Sequence, residues 1–477
     1  MTGNPSVFVL GLDAADHALI ERWAAAGELP TFSALLKEGT YGILESTAAI
    51  FSGSAWPSIT SGSNPAKCGV YTRYQIANGT YDIRRIKAAD NRQPPFWAAF
   101  SGPVVVIDVP KAPLTTGLAG AQVVEWGAYD HYSEFSSMPT EFSDRLVNEF
   151  GPHPFLDRNF EVALHRRRDF DALKATLIEG IQMKLNLNLK LMKELRPRFF
   201  LSVFGETHAA GHAFWRFQDP HHPHHEENNS LASALLDIYR SVDRAIGEFM
   251  QALPPDSIFA VVSSQGFCLD SMAGEDFLGE VLVRTGHSVP KLKKTTHSAY
   301  VPAITLDMTR TKAFSLPTDL QGYVRINLHG REPNGIVPES EYDSVCDALA
   351  AELLALRHRD SGAPVVNEVV RIRQTFSGPL AAELPDLSVI WHTSQVVTEV
   401  ESPTCGIIRV AQDLLSGGGN HRGMGFMLVH GANVAASRFA GHVFDIAPTV
   451  SQLLGEAVQP GWDGRALAFS SSENHDR

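Results

Sequence analysis

The stretch "SVFVLGLD" (residues 6–13) decides the fold class. It is a short, continuous apolar run that ends in an acidic residue, which is typical of a strand buried on both faces of a sheet. The next residues predict a helix that ends at "GELP" (27–30) and whose apolar face consists of Leu19, Ile20, Trp23 and Ala26. A buried strand, Asp13 and a helix in this order are the first unit of an α/β fold.

Similar apolar runs recur at 104–109, 198–206, 257–264, 386–391 and 425–431. Helical patterns lie between them, and the clearest are at 171–195 and 231–250. This alternation predicts an α/β fold with a mostly parallel central sheet flanked by helices. The carboxyl ends of such strands carry the chemistry. Four polar residues lie at or just past predicted strand ends, namely Asp13, Glu206, His208 and Ser264.

Residues 270–385 differ in composition, because they are rich in proline, glycine and charge, with a predicted helix at 339–357. We interpret this region as an inserted cap. The predicted organisation is therefore an α/β core in two parts, 1–269 and 386–468, separated by the cap and followed by a polar tail at 469–477.

Composition excludes several partner classes. The chain has 40 basic and 53 acidic residues and a net charge of −13, which argues against a nucleic-acid backbone as the main partner. Its four cysteines form no CxxC pair, so no zinc knuckle or dense disulfide framework is indicated. No apolar run reaches the roughly 18 residues that a membrane span needs, and the first residues do not resemble a signal peptide. We expect a soluble, cytoplasmic protein with no membrane partner.

Two histidines four residues apart stand in "ETHAAGHAFW" (206–215). On a helix, His208 and His212 would share one face and could reach one ion. His421, in the glycine-rich "GGGNHRGMG" (417–425), could supply a third imidazole. Three neutral imidazoles with a fourth position open form a catalytic zinc site. Each histidine taken alone is equally compatible with an ordinary hydrogen-bonded residue, and the tract "DPHHPHHEENN" (219–229) is typical of a solvated loop.

The segment "FSGSAWPSITSG" (51–62) is rich in hydroxyl groups. A serine before a helix could attack phosphorus or sulfur while the helix N-terminus stabilises the developing charge. An ordinary capping loop is the alternative at this point. The sequence has neither a GK[ST] P-loop nor a GxSxG elbow, so a nucleotide-dependent kinase and an α/β-hydrolase triad are not indicated.

Taken in order, these segments resemble the alkaline phosphatase superfamily, in particular its type I phosphodiesterase/nucleotide pyrophosphatase branch. The resemblance also includes "SSQGF" (263–267) and the closing "VFDIAPTVSQLLGEAVQPGWDGRAL" (443–467). It implies an alkaline-phosphatase-like core, two zinc-like ions and a covalent phospho-enzyme, with Ser52 as nucleophile and Ser61-Gly62 as the later pair of the nucleophile segment. It also implies a first metal site of His208, His212 and His421, and a second site of Asp13 and Ser52 with Ser264 and Gln265 at its remaining positions.

The second metal site departs from the family pattern. Ser264 and Gln265 replace an aspartate and a histidine and are poor zinc ligands, and Cys68 stands where a histidine is common. We therefore expect one firmly held ion, most simply Zn²⁺. A second ion would be weak, absent or held by other residues, of which Asp270 and Glu206 are candidates.

The resemblance implies a metal-dependent hydrolase or transferase of a small phosphate ester, with a phosphodiester or phosphonate as the favoured substrate class. The serine segment lacks the sulfatase signature. Two alternatives remain open, a non-catalytic member that binds a ligand or partner, and a single-zinc hydrolase whose nucleophile is metal-bound water. Substrate specificity is expected from the cap and from Trp56, Arg73, Trp215 and Arg422.

Overall fold

The structure is a computed structural model that describes residues 5–156, 169–222, 225–227, 229–270, 277–293, 304–318, 320–393, 396–409, 418–431 and 434–469. Apart from residue 469, the predicted tail lies outside these ranges. Pro223, His224 and Asn228 of the histidine-rich tract at 219–229 also lie outside them.

Nine strands form the central sheet. Numbered along the chain, they are β1 (Val7–Leu12), β2 (Thr40–Glu45), β5 (Val104–Ile107), β6 (Gly120–Val124), β7 (Ser136–Met138), β8 (Phe199–Phe204), β9 (Ile258–Ser263), β21 (Met424–Gly431) and β22 (Ser437–His442). Their spatial order is β22-β2-β21-β9-β1-β8-β5-β6-β7. The strands from β9 to β6 run parallel, as do β2 and β22, whereas β21 and β7 are antiparallel to their neighbours. The predicted mostly parallel sheet is confirmed.

Helices cover both faces of this sheet. The described helices are α1 (His17–Ala25), α2 (Pro30–Glu38), α3 (Ala55–Ser61), α4 (Pro65–Cys68), α5 (Phe142–Phe150), α6 (Phe170–Leu195), α7 (Glu206–Gln218), α8 (Ala234–Gln251), α9 (Phe277–Arg284), α10 (Tyr342–Leu354), α11 (Ile372–Thr375) and α12 (Ile446–Leu454). Of these, α9, α10 and α11 belong to the inserted region described below. The long periodic patterns at 171–195 and 231–250 correspond to α6 and α8. None of the helices within the described ranges is both long and apolar enough to cross a membrane.

Alternate side chains of β1 enter two different apolar layers, because successive residues of a strand point to opposite faces. Phe8, Leu10 and Leu12 pack with residues of α1, α2, α6, α7 and α8. Val7 and Val9 pack on the other face, with residues of α3 and α12. A strand buried on both faces needs apolar residues at every position, which explains the continuous run that opens the sequence.

The inserted region forms a second, smaller sheet with its own apolar core. Its four strands have the order β13 (Ala313–Leu316), β14 (Gly322–Ile326), β17 (Leu387–Trp391) and β16 (Val366–Arg371). Residues of α9 and α10 pack in the same core. A three-stranded sheet adjoins that core and consists of β15 (Arg357–His358), β18 (Glu399–Ser402) and β19 (Gly406–Arg409).

The apolar run at 386–391 is a strand, but it belongs to this smaller sheet. It pairs antiparallel with β14 and β16, and its inward side chains Leu387 and Val389 join the second core. The division at residue 386 predicted from the sequence therefore falls inside the cap. An apolar run shows that a strand is buried and does not show which sheet buries it.

Three two-stranded sheets complete the described strands. They are β3 (Tyr74–Ile76) with β4 (Ile83–Arg85), β10 (Gly266–Leu269) with β20 (Gly419–Arg422), and β11 (Pro290–Lys293) with β12 (Ile304–Leu306). The pair of β10 and β20 matters for the site, because it returns the chain from the cap to the carboxyl edge of the central sheet.

Candidate active site

The carboxyl ends of three adjacent parallel strands bring the predicted polar residues together. Leu12 of β1 lies opposite Phe204 of β8 and Ser263 of β9. The next residues of each strand therefore emerge at one edge of the sheet, where Asp13, the start of α7 and Ser264 are found. The short ladder of β10 and β20 pairs Phe267 with His421 and brings that histidine to the same edge.

His208, His212 and His421 form one cluster, in which one ligand atom of each ring lies within 4.8 Å of those of the others. The Nε2 atoms of His208 and His212 are 3.1 Å apart. Tetrahedral zinc with bonds of about 2.0–2.1 Å requires nitrogen atoms about 3.3 Å apart, so this spacing fits a shared ion. The Nδ1 atom of His421 is buried and has no hydrogen-bond partner among the described residues. The donor set and this unpaired nitrogen fit a zinc site.

Hydrogen bonds orient two of these rings. Nδ1 of His208 lies 2.7 Å from Oδ2 of Asp13, and Nδ1 of His212 lies 2.9 Å from the carbonyl oxygen of Gly419. Both contacts hold Nδ1 and turn Nε2 toward the centre of the cluster, which is how oriented metal-binding histidines are usually supported. Burial lowers the pKa of His208, but the Asp13 carboxylate outweighs burial and the pKa is raised. Burial, followed by the charges of His208 and His212, lowers the pKa of His421.

Asp13 is surrounded by donors. Its Oδ1 accepts from Nε1 of Trp56 at 2.7 Å and from the hydroxyl of Ser264 at 3.3 Å, while Oδ2 contacts His208. The resemblance placed Asp13 and Ser264 in a second metal site and Trp56 among the substrate contacts. In the structure, Trp56 and Ser264 both contact the Asp13 carboxylate, and the same carboxylate orients the His208 ring.

Ser52 begins a 3₁₀ turn (Ser52–Ser54) that leads into α3. Its hydroxyl is buried and has no hydrogen-bond partner in the described part of the chain. Its backbone N–H donates to Oε1 of Gln321 and to the hydroxyl of Tyr323, each at 3.3 Å, and both acceptors come from the cap. The turn is thus fixed through its backbone, while the hydroxyl oxygen is unpaired.

A profile of the type I phosphodiesterase / nucleotide pyrophosphatase family matches residues 7–421. The chain belongs to this family. The predicted resemblance is confirmed, and the protein is an enzyme of the phosphodiesterase and phosphatase class. A search of curated protein sequences gives no match.

Solved structures that resemble this family member share its fold at low sequence identity. Phosphonoacetate hydrolase from Sinorhizobium meliloti is 14% identical, with a TM-score of 0.51 over 94% of this chain and 95% of that chain. Murine ectonucleotide pyrophosphatase/phosphodiesterase 5 is 12% identical, with a TM-score of 0.51 over 96% of each chain. Wild-type alkaline phosphatase PafA is 12% identical, with a TM-score of 0.57 over 98% of this chain and 99% of that chain. The fold is alkaline-phosphatase-like.

Sequence reasoning missed two charged residues of this phosphodiesterase-family site. Lys111 follows β5 and donates from Nζ to the carbonyl oxygen of Gly53 at 2.9 Å, beside Ser52. Asp130 follows β6 and lies 3.7 Å from the Arg73 guanidinium, a residue predicted to contact substrate. Burial would raise the pKa of Asp130, but Arg73, His208, Lys111 and His212 together lower it. Lys111 could have been found from its place just past the predicted strand at 104–109, whereas β6 was not predicted.

Several other predicted residues have partners that account for them. Trp215 donates from Nε1 to Asp219 at 2.9 Å, and Arg422 lies 2.9 Å from the Asp16 carboxylate. Both side chains thus bind carboxylates of the protein itself, and their contact with substrate stays a prediction. Cys68 contacts the Ser61 hydroxyl at 3.0 Å, and burial raises its pKa to about 12.

Among the residues considered for a second metal site, Asp13 contacts Ser264, whereas Glu206 and Asp270 contact other residues. Glu206 is fully buried beside His153, 3.0 Å away, and Asp270 is 3.4 Å from the amide of Asn420. Gln265 is buried, with its Oε1 atom unpaired among the described residues. Apart from the three histidines, the described ranges contain no group of three or more His, Cys, Asp or Glu residues with metal-ligand spacing.

Proposed function

We propose that this protein hydrolyses a small phosphate ester with one zinc ion, held by His208, His212 and His421, and with Ser52 as the nucleophile. The observation that carries the proposal is the convergence of three imidazole nitrogens within 4.8 Å at the edge of the sheet that also carries Asp13. The Ser52 segment adds a buried hydroxyl with no partner among the described residues.

When bound, the zinc ion would supply positive charge to a phosphoryl oxygen and favour the ionised form of a nearby hydroxyl group. The remaining steps belong to the chain. Oγ of Ser52 forms a bond to phosphorus, the ester P–O bond breaks, and the leaving alcohol takes up a proton. Water then attacks the serine phosphate, releases phosphate or a phosphate monoester, and restores the serine hydroxyl. Acceptance of the phosphoryl group by an alcohol instead of water would make the same site a transferase.

The substrate class we favour is a phosphodiester or phosphonate. The name of the Sinorhizobium protein gives phosphonoacetate as its substrate, and the murine protein was solved with AMP. These two ligands support a small-molecule phosphoester or phosphonate as the substrate of this protein. The cap would supply the specificity. A cytoplasmic location stays a prediction from the sequence.

The test is metal content together with turnover. Purified protein is assayed for zinc by mass spectrometry and for hydrolysis of an aryl phosphodiester, a phosphonate, an aryl phosphate monoester and an aryl sulfate. We expect about one zinc per chain and turnover of a phosphorus substrate, lost in Ser52→Ala and retained in the control Ser33→Ala, which changes an exposed serine on α2. Activity that survives Ser52→Ala would support metal-bound water as the nucleophile. Absence of both zinc and turnover would support a non-catalytic binding protein.

A further inference from the structure

The three imidazoles of the cluster are supported by different parts of the chain. His208 is held by the Asp13 carboxylate at the end of β1. The other two imidazoles both depend on β20, because His421 is a residue of this strand and the carbonyl oxygen of Gly419, also in β20, accepts from Nδ1 of His212 at 2.9 Å. The position of β20 therefore sets the positions of two of the three proposed zinc ligands.

β20 pairs with β10 in a ladder of two strands with four residues each. Such a ladder is marginally stable by itself, so its position depends on contacts with the rest of the protein. Its register places Phe267 opposite His421 and Gly266 opposite Arg422. Successive residues of a strand point to opposite faces. The rings of Phe267 and His421 therefore share the face toward the cluster, where they are 4.7 Å apart, and Arg422 extends from the other face.

On that other face, Arg422 binds a buried carboxylate that sequence analysis left without a role. Its guanidinium group lies 2.9 Å from Oδ2 of Asp16, and the same oxygen accepts from the backbone N–H of Phe267 at 3.1 Å. Nε2 of His17 lies 3.1 Å from the same guanidinium group. Asp16 thus holds both strands of the ladder, β20 through Arg422 and β10 through Phe267.

Gly266 provides the space for this contact. A Cβ atom at residue 266 would lie 2.6 Å from Oδ2 of Asp16 and 3.1 Å from Nε of Arg422. Because Cβ atoms essentially never approach other atoms closer than 3.0 Å, any side chain at this position would displace the carboxylate. The ladder therefore has a residue without a side chain where Asp16 and Arg422 meet.

Asp16 is itself attached to the core of the central sheet. Its Oδ1 accepts from the N–H of Leu19 at 3.0 Å and caps α1, and its own N–H donates to the hydroxyl oxygen of the buried Tyr239 on α8 at 2.9 Å. The carbonyl oxygen of the preceding Ala15 accepts from the hydroxyl of Ser263, at the end of β9, at 3.0 Å. The carboxylate thus joins the ladder to three elements of the core.

The turn between β1 and α1 therefore supports the histidine cluster with two carboxylates three residues apart. Asp13 orients His208 directly. We propose that Asp16 and Arg422 are positioning residues that hold β20, and with it the other two imidazoles, in the geometry that binds zinc. This role differs from the substrate contact expected for Arg422 from the sequence. The inference rests on the zinc site of the proposed function and does not depend on turnover.

The test compares Arg422→Met, which removes the guanidinium group, with Arg422→Lys, which keeps the charge, and with Asp16→Asn, which keeps an oxygen for capping α1. Arg422→Gln replaces Arg422→Met if the latter does not fold. Two controls are matched to these changes. Arg240→Met removes an arginine that is 36% exposed and paired with Glu28, where Arg422 is 35% exposed, and Asp169→Asn changes the carboxylate that caps α6.

The Kd of zinc is measured by competition with a chelator, at a temperature at which the metal-free proteins stay folded, and the visible spectrum of the cobalt(II)-substituted protein reports the ligand geometry. We expect Arg422→Met and Asp16→Asn to weaken zinc binding about 10- to 100-fold, as loss of a ligand's support usually does, and to change the cobalt spectrum. Arg422→Lys should recover part of the affinity, and both controls should match wild type. The double variant should bind zinc no more weakly than the weaker single variant, because both changes remove the same contact.

The proposal is overturned if Arg422→Met and Asp16→Asn bind zinc as tightly as wild type, if Arg240→Met weakens zinc binding equally, or if Arg422→Lys binds zinc no better than Arg422→Met. Additive losses in the double variant would also overturn it.

Zinc affinity separates this proposal from the proposed function. Zinc binding that weakens in Arg422→Met, without turnover of any substrate by wild type, would support the Asp16–Arg422 contact and contradict the proposed hydrolysis. Turnover that Ser52→Ala abolishes, with an unchanged zinc Kd in Arg422→Met, would do the reverse. A wild type that binds no zinc would overturn both.

Discussion

The backbone N–H of Ser52 donates to the hydroxyl oxygen of Tyr323 at 3.3 Å, and this contact joins the proposed nucleophile to the cap. Gln321 strengthens the connection, because its Oε1 accepts from the same N–H and its Nε2 donates to the carbonyl of Ala48 at 2.7 Å. The cap therefore fixes the backbone of the proposed nucleophile Ser52.

Tyr323→Phe is expected to lower kcat by about 5-fold with little change in KM, because it removes one of two acceptors that hold the Ser52 amide. The loss of one net hydrogen bond corresponds to about 1 kcal/mol. Steady-state kinetics and thermal unfolding check this, with Tyr41→Phe on β2 as the control. An equal effect of Tyr41→Phe on kcat would show that the contact with the Ser52 amide is not responsible.

Asp13→Asn is expected to weaken zinc binding by about 10- to 100-fold, the usual cost of losing the carboxylate that supports a metal-binding histidine. The physical reason is the 2.7 Å contact that orients the His208 ring. Competition with a chelator of known affinity measures the Kd for zinc, and Asp237→Asn serves as the control. If wild type binds two ions and the variant one, then Asp13 is a metal ligand rather than a support.

Gly211→Ala is expected to disturb the cluster from the side of α7. A Cβ atom at residue 211 would lie 2.5 Å from the Phe267 ring, which in turn packs against His212 and His421. Overpacking of this kind costs about 1–3 kcal/mol, and the shifted ring should also weaken zinc binding. Gly461→Ala is the matched control, because a Cβ there meets nothing within 4 Å. Equal unfolding free energies and zinc affinities for the two variants would contradict this account of the packing.

Glu125 gives the fold a specific pH dependence. Burial raises the pKa of this carboxyl group to about 7, although the amides of Tyr132 and Ser133 oppose the rise. Between its ordinary pKa of 4.5 and about 7 the folded state binds more protons than the unfolded state, so stability falls as pH rises through this window and is constant above it.

Glu125→Gln should remove this pH dependence. Its free energy of unfolding should exceed that of wild type by up to about 3 kcal/mol between pH 4.5 and pH 8. Denaturant unfolding at several pH values measures the difference. A wild type and variant whose unfolding free energies change in parallel over this range would show that Glu125 does not carry the effect.

The sequence predicted the parts of this protein that follow from local pattern and chain order. The apolar run before Asp13 requires a strand covered on both faces, and the spacing of His208 and His212 requires only one turn of helix. The resemblance predicts that His421 lies beside His208 and His212, and the rule that the carboxyl ends of parallel strands lie at one edge of the sheet supports this prediction.

What could not be predicted depends on pairing across long distances. The strand Leu387–Trp391 has the same composition as a core strand, and only its ladder with β14 and β16 places it in the cap. The contacts of Asp13 with Trp56 and His208 join residues 43 and 195 positions apart, so no local pattern reveals them. Lys111 was overlooked for a different reason, since no metal or nucleophile pattern includes a lysine at that position.

The most direct test of the account is anomalous X-ray diffraction at the zinc absorption edge from crystals grown with zinc. We predict one strong peak, about 2.0–2.1 Å from one ring nitrogen each of His208, His212 and His421, with the Asp13 carboxylate bonded to His208 and not to the ion. A peak bonded to Asp13 and Ser264, two peaks of equal strength, or no peak at the three histidines would contradict it.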